Sequence, residues 1–202
     1  LLEVVWQDRP SIPNKPLFLH PEEYAGRTSA QRIQEVRDRL KGQGANATII
    51  TMVDELAWVF NIRGYDVSYN PVAMGFGYIG EKEAILFVLP EKVTPEVRDQ
   101  LTKNGIHIKP YTEIDSFIKS LPSDIRLLID TKRITHRLFS QIPEHCRKIF
   151  GVSVLTQLKA IKNDTELSNL RKVMARDGVA LTRFFKWLEE ALHRGETYTE
   201  HE

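Results

Sequence analysis

The stretch densest in chemically capable side chains runs from Phe60 to Pro71, where Asn61, Arg63, Asp66, Tyr69 and Asn70 crowd around Gly64. A guanidinium offers a planar fork of donors suited to a carboxylate, a carboxylate accepts from an amine or from that guanidinium, and glycine lets the backbone turn tightly. These types support two readings, an Arg63–Asp66 pair that fixes a loop, or an exposed loop whose Asn61, Arg63, Asp66, Tyr69 and Asn70 face a substrate. A second motif, Gly75-Phe-Gly77-Tyr-Ile-Gly80, satisfies G-x-G-x-x-G. In a dinucleotide site that pattern follows a strand and opens a helix whose N–H groups meet pyrophosphate. Here Glu81-Lys82-Glu83 and an apolar run follow instead, so two carboxylates would repel phosphate and the glycines read as strand plus turn. The six histidines, His20, His107, His136, His145, His193 and His201, contain no H-x-x-x-H or H-x-H pair to turn two imidazoles onto one metal. His193 and His201 near Glu196, Glu200 and Glu202 come closest, and at a chain end they read as a solvated tail. Cys146 lacks an evident base and orienter, and no G-x-S-x-G elbow occurs, so nucleophilic catalysis has little support.

The elements that must position the 61–70 loop follow from periodicity. Thr28 with Gln31 makes a capping box, and Ile33, Val36 and Leu40 repeat at helical spacing until Gly42 and Gly44, which predicts a helix over 29–42. Residues 47–52 form a β-branched run fit for a buried strand, and Asp54 is the expected cap of a short helix through Phe60. The loop therefore sits where a helix ends and a strand begins. Residues 72–78 and 84–89 read as an antiparallel hairpin. Thr94 and Pro95 open a helix to about Lys103, and strands over 106–108, 125–129 and 148–152 alternate with helices over 113–121 and 135–141. An α/β fold with a mixed β-sheet flanked by helices is predicted, because apolar-run strands need cover on both faces. One long helix over 164–193 follows it, with Leu170, Met174, Leu181, Phe185 and Leu192 in its stripe and Phe184 and Trp187 widening it. That stripe is wider than one neighbouring surface covers, so a homodimer through this helix is expected of the chain alone.

Composition narrows the function classes. The chain has 202 residues, 42 % hydrophobic and 27 % charged, an ordinary globular mix that rules out disordered, collagen-like or disulfide-scaffold chains. A formal charge of +1 provides no net field for nucleic acid or for an anionic membrane, and neither is expected as a partner. A single cysteine closes no intrachain disulfide, and no run approaches the ~20 apolar residues of a membrane span. A cytoplasmic location fits. The start, Leu1-Leu2-Glu3-Val4-Val5-Trp6, has neither Met nor a signal-peptide layout, and suggests a piece of a longer polypeptide.

The stretch Asp54-Glu55-Leu56-Ala57-Trp58-Val59-Phe60-Asn61-Ile62-Arg63-Gly64-Tyr65-Asp66-Val67, followed by Asn70-Pro71-Val72, closely resembles the middle domain of three-domain Xaa-Pro aminopeptidases, the aminopeptidase P family of metallopeptidases. Trp6-Gln7-Asp8-Arg9-Pro10 resembles the arm leaving the first domain. Lys159-Ala160-Ile161-Lys162-Asn163, with Glu166 and Arg171, resembles the opening of the catalytic domain. After Pro71 the chain departs from the family, with Ala73, Met74 and Gly75 in place of more aromatic residues. The resemblance implies a creatinase/prolidase N-terminal-like α/β domain over 28–158, a linker arm over 1–27, and the first helix of a pita-bread catalytic domain over 159–202. It further implies a parent hydrolase that removes the N-terminal residue from peptides with proline second, using two divalent ions, usually manganese, held by two Asp, one His and two Glu. None of those ligand motifs occurs here, so this chain is expected to hold no metal and to have no catalytic residue of its own. Its partners would be the rest of the peptidase chain and the peptide, whose cleft it would help to frame. A stand-alone binding domain of the same fold, or an α/β enzyme of another kind, are the alternatives.

Overall fold

The computed structural model describes residues 5–200, so residues 1–4, His201 and Glu202, the last two of the expected tail group, lie outside it. The chain divides into two compact units, Leu1–Ile161 and Lys162–Glu202.

The first unit is built on a six-stranded mixed sheet. Its strands are β2 (Ala47–Ile50), β4 (Phe76–Gly80), β5 (Ala84–Val88), β6 (Ile106–Pro110), β7 (Arg126–Ile129) and β8 (Arg147–Phe150), in the order β6-β5-β4-β2-β7-β8. β4 runs antiparallel to both neighbours, while β5–β6, β2–β7 and β7–β8 are parallel. Two further short strands, β1 (Phe18–Leu19) and β3 (Ile62–Arg63), pair antiparallel with each other. The helices are α1 (Glu22–Ala25), α2 (Ser29–Gly42), α3 (Val53–Val59), α4 (Pro95–Lys103), α5 (Ile114–Lys119), α6 (His136–Phe139) and α7 (Val154–Ala160).

Strand alternation sorts the core into two layers. Ile50, Ile79, Leu86, Val88 and Leu128 pack with Ile33, Val36 and Leu40 of α2, Leu56 of α3, Val97 of α4 and Leu155 of α7. On the other face Tyr78, Ile85, Phe87, Leu127 and Ile129 pack with Ile114 and Ile118 of α5 and Leu138 of α6. Helices on both faces of a mixed sheet are the architecture expected from the sequence.

Several local expectations need correction. Asp54 does not cap α3; Met52 is the N-cap and forms no side-chain cap bond, while the Asp54 carboxylate reaches across to Lys159 of α7. The first hairpin strand starts at Phe76 rather than at 72, because the Pro71 and Val72 carbonyls accept from the amides of Gly64 and Asp66 and so tie that segment to the preceding loop. The G-x-G-x-x-G glycines are strand glycines, and a Cβ on Gly77 would stand 2.9 Å from Ile50 Cδ1. The 1–27 segment is no bare arm over its whole length, since Leu17 is buried and Phe18–Leu19 form β1. α7, capped by Ser153, went unread because two turns are too short for a clear helical period.

The second unit holds α8 (Asp164–His193), whose bounds agree with the predicted ones. Asn163 and Glu166 form a reciprocal capping box at its start. At its end Gly195 takes φ +78°, its amide bonds to Leu192 O, and the Glu196 amide bonds to Ala191 O, the paired bonds of a Schellman motif. The tail then folds back, placing the Tyr198 ring 4.8 Å from that of Trp187. No described helix is long and apolar enough to cross a membrane.

Candidate functional site

The loop leaving α3 is anchored from below before it reaches its tip. α3 ends on Phe60, and Asn61 takes φ +50°, a left-handed conformation that asparagine tolerates better than most residues. Its side chain accepts from Arg32 Nη1 at 2.7 Å and donates to Arg27 O at 2.8 Å, and its own carbonyl accepts from the His20 amide at 2.8 Å. Asn61 is only 6 % exposed, so the expectation of a loop exposed throughout residues 61–70 fails at its first residue. Arg32 is itself buried; it also donates to Ala25 O at 2.9 Å and to Trp58 O, and its guanidinium lies 4.6 Å from the centre of the Trp58 ring.

Arg63 and Asp66 do not use each other as the sequence allowed. Arg63 is half-buried and donates from Nη1 to Ala57 O at 2.8 Å and Ile62 O at 2.9 Å, placing its charge by the carbonyl end of α3. Asp66 is paired with Lys92, both side chains being fully buried, and its Oδ2 also accepts from the Met74 amide at 2.6 Å. Its Oδ1 is buried with no hydrogen-bond partner. Gly64 is required by crowding, since a Cβ there would stand 2.7 Å from Ala73 Cβ. Asn61, Arg63 and Asp66 therefore make the base of the loop, each held by a separate partner.

The tip is different. Val67 and Asn70 form a single antiparallel bridge, and between them Tyr69 takes φ +61° while fully exposed. A bulky residue in that region is strained, and such strain persists where the surroundings over-determine it. Tyr65, 60 % exposed, stacks on Phe18 of β1 with ring centroids 5.0 Å apart. Tyr65, Val67, Tyr69 and Asn70 thus make an exposed, partly aromatic ridge on a rigid base.

Burial pushes the Cys146 thiol up, with a smaller opposing pull from Lys148, which leaves it a poor nucleophile. Burial would raise Asp54, but the hydrogen bond from Lys159, that residue's charge and the amides of Asp54 and Glu55 together hold its carboxyl below the usual range. Glu55 accepts from Ser153 Oγ at 3.2 Å and from the Thr156 hydroxyl, with Arg133 Nη1 at 3.6 Å. Among the described residues no group of three or more His, Cys, Asp or Glu could hold a metal.

Two residues central to this geometry escaped the sequence reading. Arg32 carried a signal, a charge on the buried stripe of α2 four residues before Val36, which calls for internal acceptors. Lys92 carried none; it lies in a one-turn 3₁₀ helix, Pro90–Lys92, and meets Asp66 only through the tertiary fold.

The family model for the creatinase/prolidase N-terminal domain matches residues 8–166. A probable Xaa-Pro aminopeptidase P of Sordaria macrospora is 36 % identical over 202 residues, covering 95 % of this chain and 33 % of that protein. Aminopeptidase P2 of Arabidopsis thaliana is 32 % identical over 230 residues, covering 99 % and 32 %. The crystal structure of a Caenorhabditis elegans X-prolyl aminopeptidase, described as a cytosolic enzyme with a di-nuclear active site, superposes with a TM-score of 0.89 at 29 % identity, over 98 % of this chain and 33 % of that one. The chain spans about a third of the length of the curated relatives it matches. With its mixed sheet, its two helical layers and a family match over residues 8–166, the chain belongs to the creatinase/prolidase N-terminal domain family.

Proposed function

We propose that this chain is the non-catalytic middle domain of an Xaa-Pro aminopeptidase, with residues 28–158 as the creatinase-type domain, residues 1–27 leading in from a preceding domain, and residues 159–202 opening the catalytic one. The observation that carries this reading is the alignment of nearly the whole chain with a third of a protein named Xaa-Pro aminopeptidase P. The parent would be cytosolic, as the Caenorhabditis elegans enzyme is described, and would cleave before a proline in second position.

The two divalent ions of such a peptidase, manganese by resemblance, belong to residues outside this chain. The described residues do not fit a two-metal centre, because Asp54, Asp66 and Glu55 already face Lys159, Lys92 and Arg133. The part left to this chain is to frame the cleft. Tyr65 and Tyr69 offer ring faces suited to the compact, apolar proline ring, and Asn70 offers an amide for peptide backbone. Asn61, Arg63 and Asp66 act on substrate indirectly, by holding that ridge.

In the full-length enzyme, Tyr69→Ser should raise KM for an Xaa-Pro peptide roughly two- to twelve-fold, the range of a single aromatic contact, and leave the melting temperature unchanged. Arg63→Ala should lower both kcat/KM and stability, because it uncaps α3. An unchanged KM in Tyr69→Ser would remove the ridge from the cleft. Measurable turnover by residues 1–202 alone would overturn the non-catalytic assignment.

A further inference from the structure

Away from the loop, on the α2 side of the first unit, lies a hollow of about 250 Å³ lined by Arg37 and Lys41 of α2, Arg126 at the start of β7, and the carboxylates Asp38 and Glu81. The two arginines are set in the same way. Arg37 Nε donates to Gly80 O at 2.8 Å, and Arg126 Nε donates to Gly44 O at 2.9 Å. Each bond to a backbone carbonyl fixes a guanidinium plane, and among the described residues neither terminal NH₂ group has a protein acceptor. No carboxylate among the described residues lies within ion-pair distance of Arg37, Lys41 or Arg126, although two stand in the same wall. Asp38 instead accepts from Gln34 Nε2 at 3.0 Å, one helical turn away.

A half-buried guanidinium loses hydration that an opposite charge would replace, and at Arg37 the described residues supply only the neutral Gly80 carbonyl. Burial accordingly pulls Arg37 below the usual guanidinium range. Immobilised, forked donors with unused N–H groups on two sides of one hollow match the tetrahedral oxygens of a phosphate better than a single carboxylate, whose two oxygens one fork would satisfy. We propose that this hollow, made by Arg37, Arg126 and Lys41, binds a small molecule carrying a phosphate-type dianion. The site is separate from the G-x-G-x-x-G pattern, no helix N-terminus contributes to it, Lys41 stands in the last turn of α2, and Gly80 takes part only as the carbonyl that holds Arg37.

Glu81 makes the idea testable without touching an anchor. Inorganic phosphate and glucose 6-phosphate are titrated into the 202-residue chain by calorimetry, with sodium chloride at matched ionic strength as the control. Saturable one-to-one heat with either ligand supports the site, and the ester arm shows whether the free ion or a phosphate ester is the better occupant. Arg126→Gln should weaken the constant about tenfold or more, as loss of a charge-assisted hydrogen bond does, and Glu81→Gln should tighten it about threefold by removing a repulsive surface charge. The proposal is overturned if neither ligand gives saturable heat beyond the chloride control, or if both variants bind with the wild-type constant.

Discussion

Every residue of β5 from Ala84 to Val88 is buried, whereas Phe184, Phe185 and Leu192 of α8, comparably apolar, are 49 %, 62 % and 57 % exposed. Both elements are well formed, so the difference lies in what secondary structure requires. A thirty-residue helix closed by a capping box and a Schellman turn satisfies its own backbone bonds wherever it stands. A strand satisfies its backbone only through neighbours, and in β5 those neighbours, β4 and β6, come with helices over both faces. The first unit thus contains what it needs for its core. On the proposed reading, the apolar face of α8 is a surface for a peptidase's catalytic domain.

The sharpest way to break that contrast is to remove one ring from each region. Phe87→Ala, from a wholly buried site, should cost about 3–5 kcal/mol in urea unfolding, while Phe185→Ala should stay within about 0.5 kcal/mol. Comparable losses would mean that α8 is stabilised by burial after all. If the chain alone dimerises through this face, Phe185→Ser should also shift its sedimentation toward monomer.

The same contrast holds between ion pairs inside the first unit. Lys92 and Asp66 are both fully buried, so Lys92→Met strands a carboxylate and should cost about 3–5 kcal/mol. Adding Asp66→Asn should restore most of that loss, because no charge is then left unpaired. A double variant as unstable as the sum of the single ones would show that the pair's role is packing rather than charge.

Of these two ion pairs the smaller effect belongs to Asp54 and Lys159, whose side chains are 40 % and 32 % exposed. Since the folded Asp54 carboxyl lies below its ordinary 3.8, its contribution is present above that pH and fades as pH falls through the folded value. Asp54→Asn should therefore be less stable than wild type at pH 6 by under about 1 kcal/mol, with the gap closing below pH 3.8. A gap that persists in acid would assign the loss to something other than the charge.

The sequence on its own determined a good deal: the bounds of α2, α4 and α8, the antiparallel hairpin, the mixed sheet covered on two faces, and the family. Each of those rests on a local signal, such as Thr28 with Gln31, Pro95 after Thr94, or the stripe through Phe185, or on a long motif. The inside of the candidate site was legible only as a list of polar residues. Arg63 and Asp66 stand three apart and looked like partners, yet one caps α3 and the other meets Lys92, 26 residues away. Asn61 looked exposed and is locked by Arg32, whereas Tyr69, one polar-loop residue among several, is left fully in solvent. Periodicity and capping act within a few residues, and so can be read from the chain. Which charge meets which, and which ring is left uncovered, depends on where distant segments come to rest, and only the tertiary structure decides that.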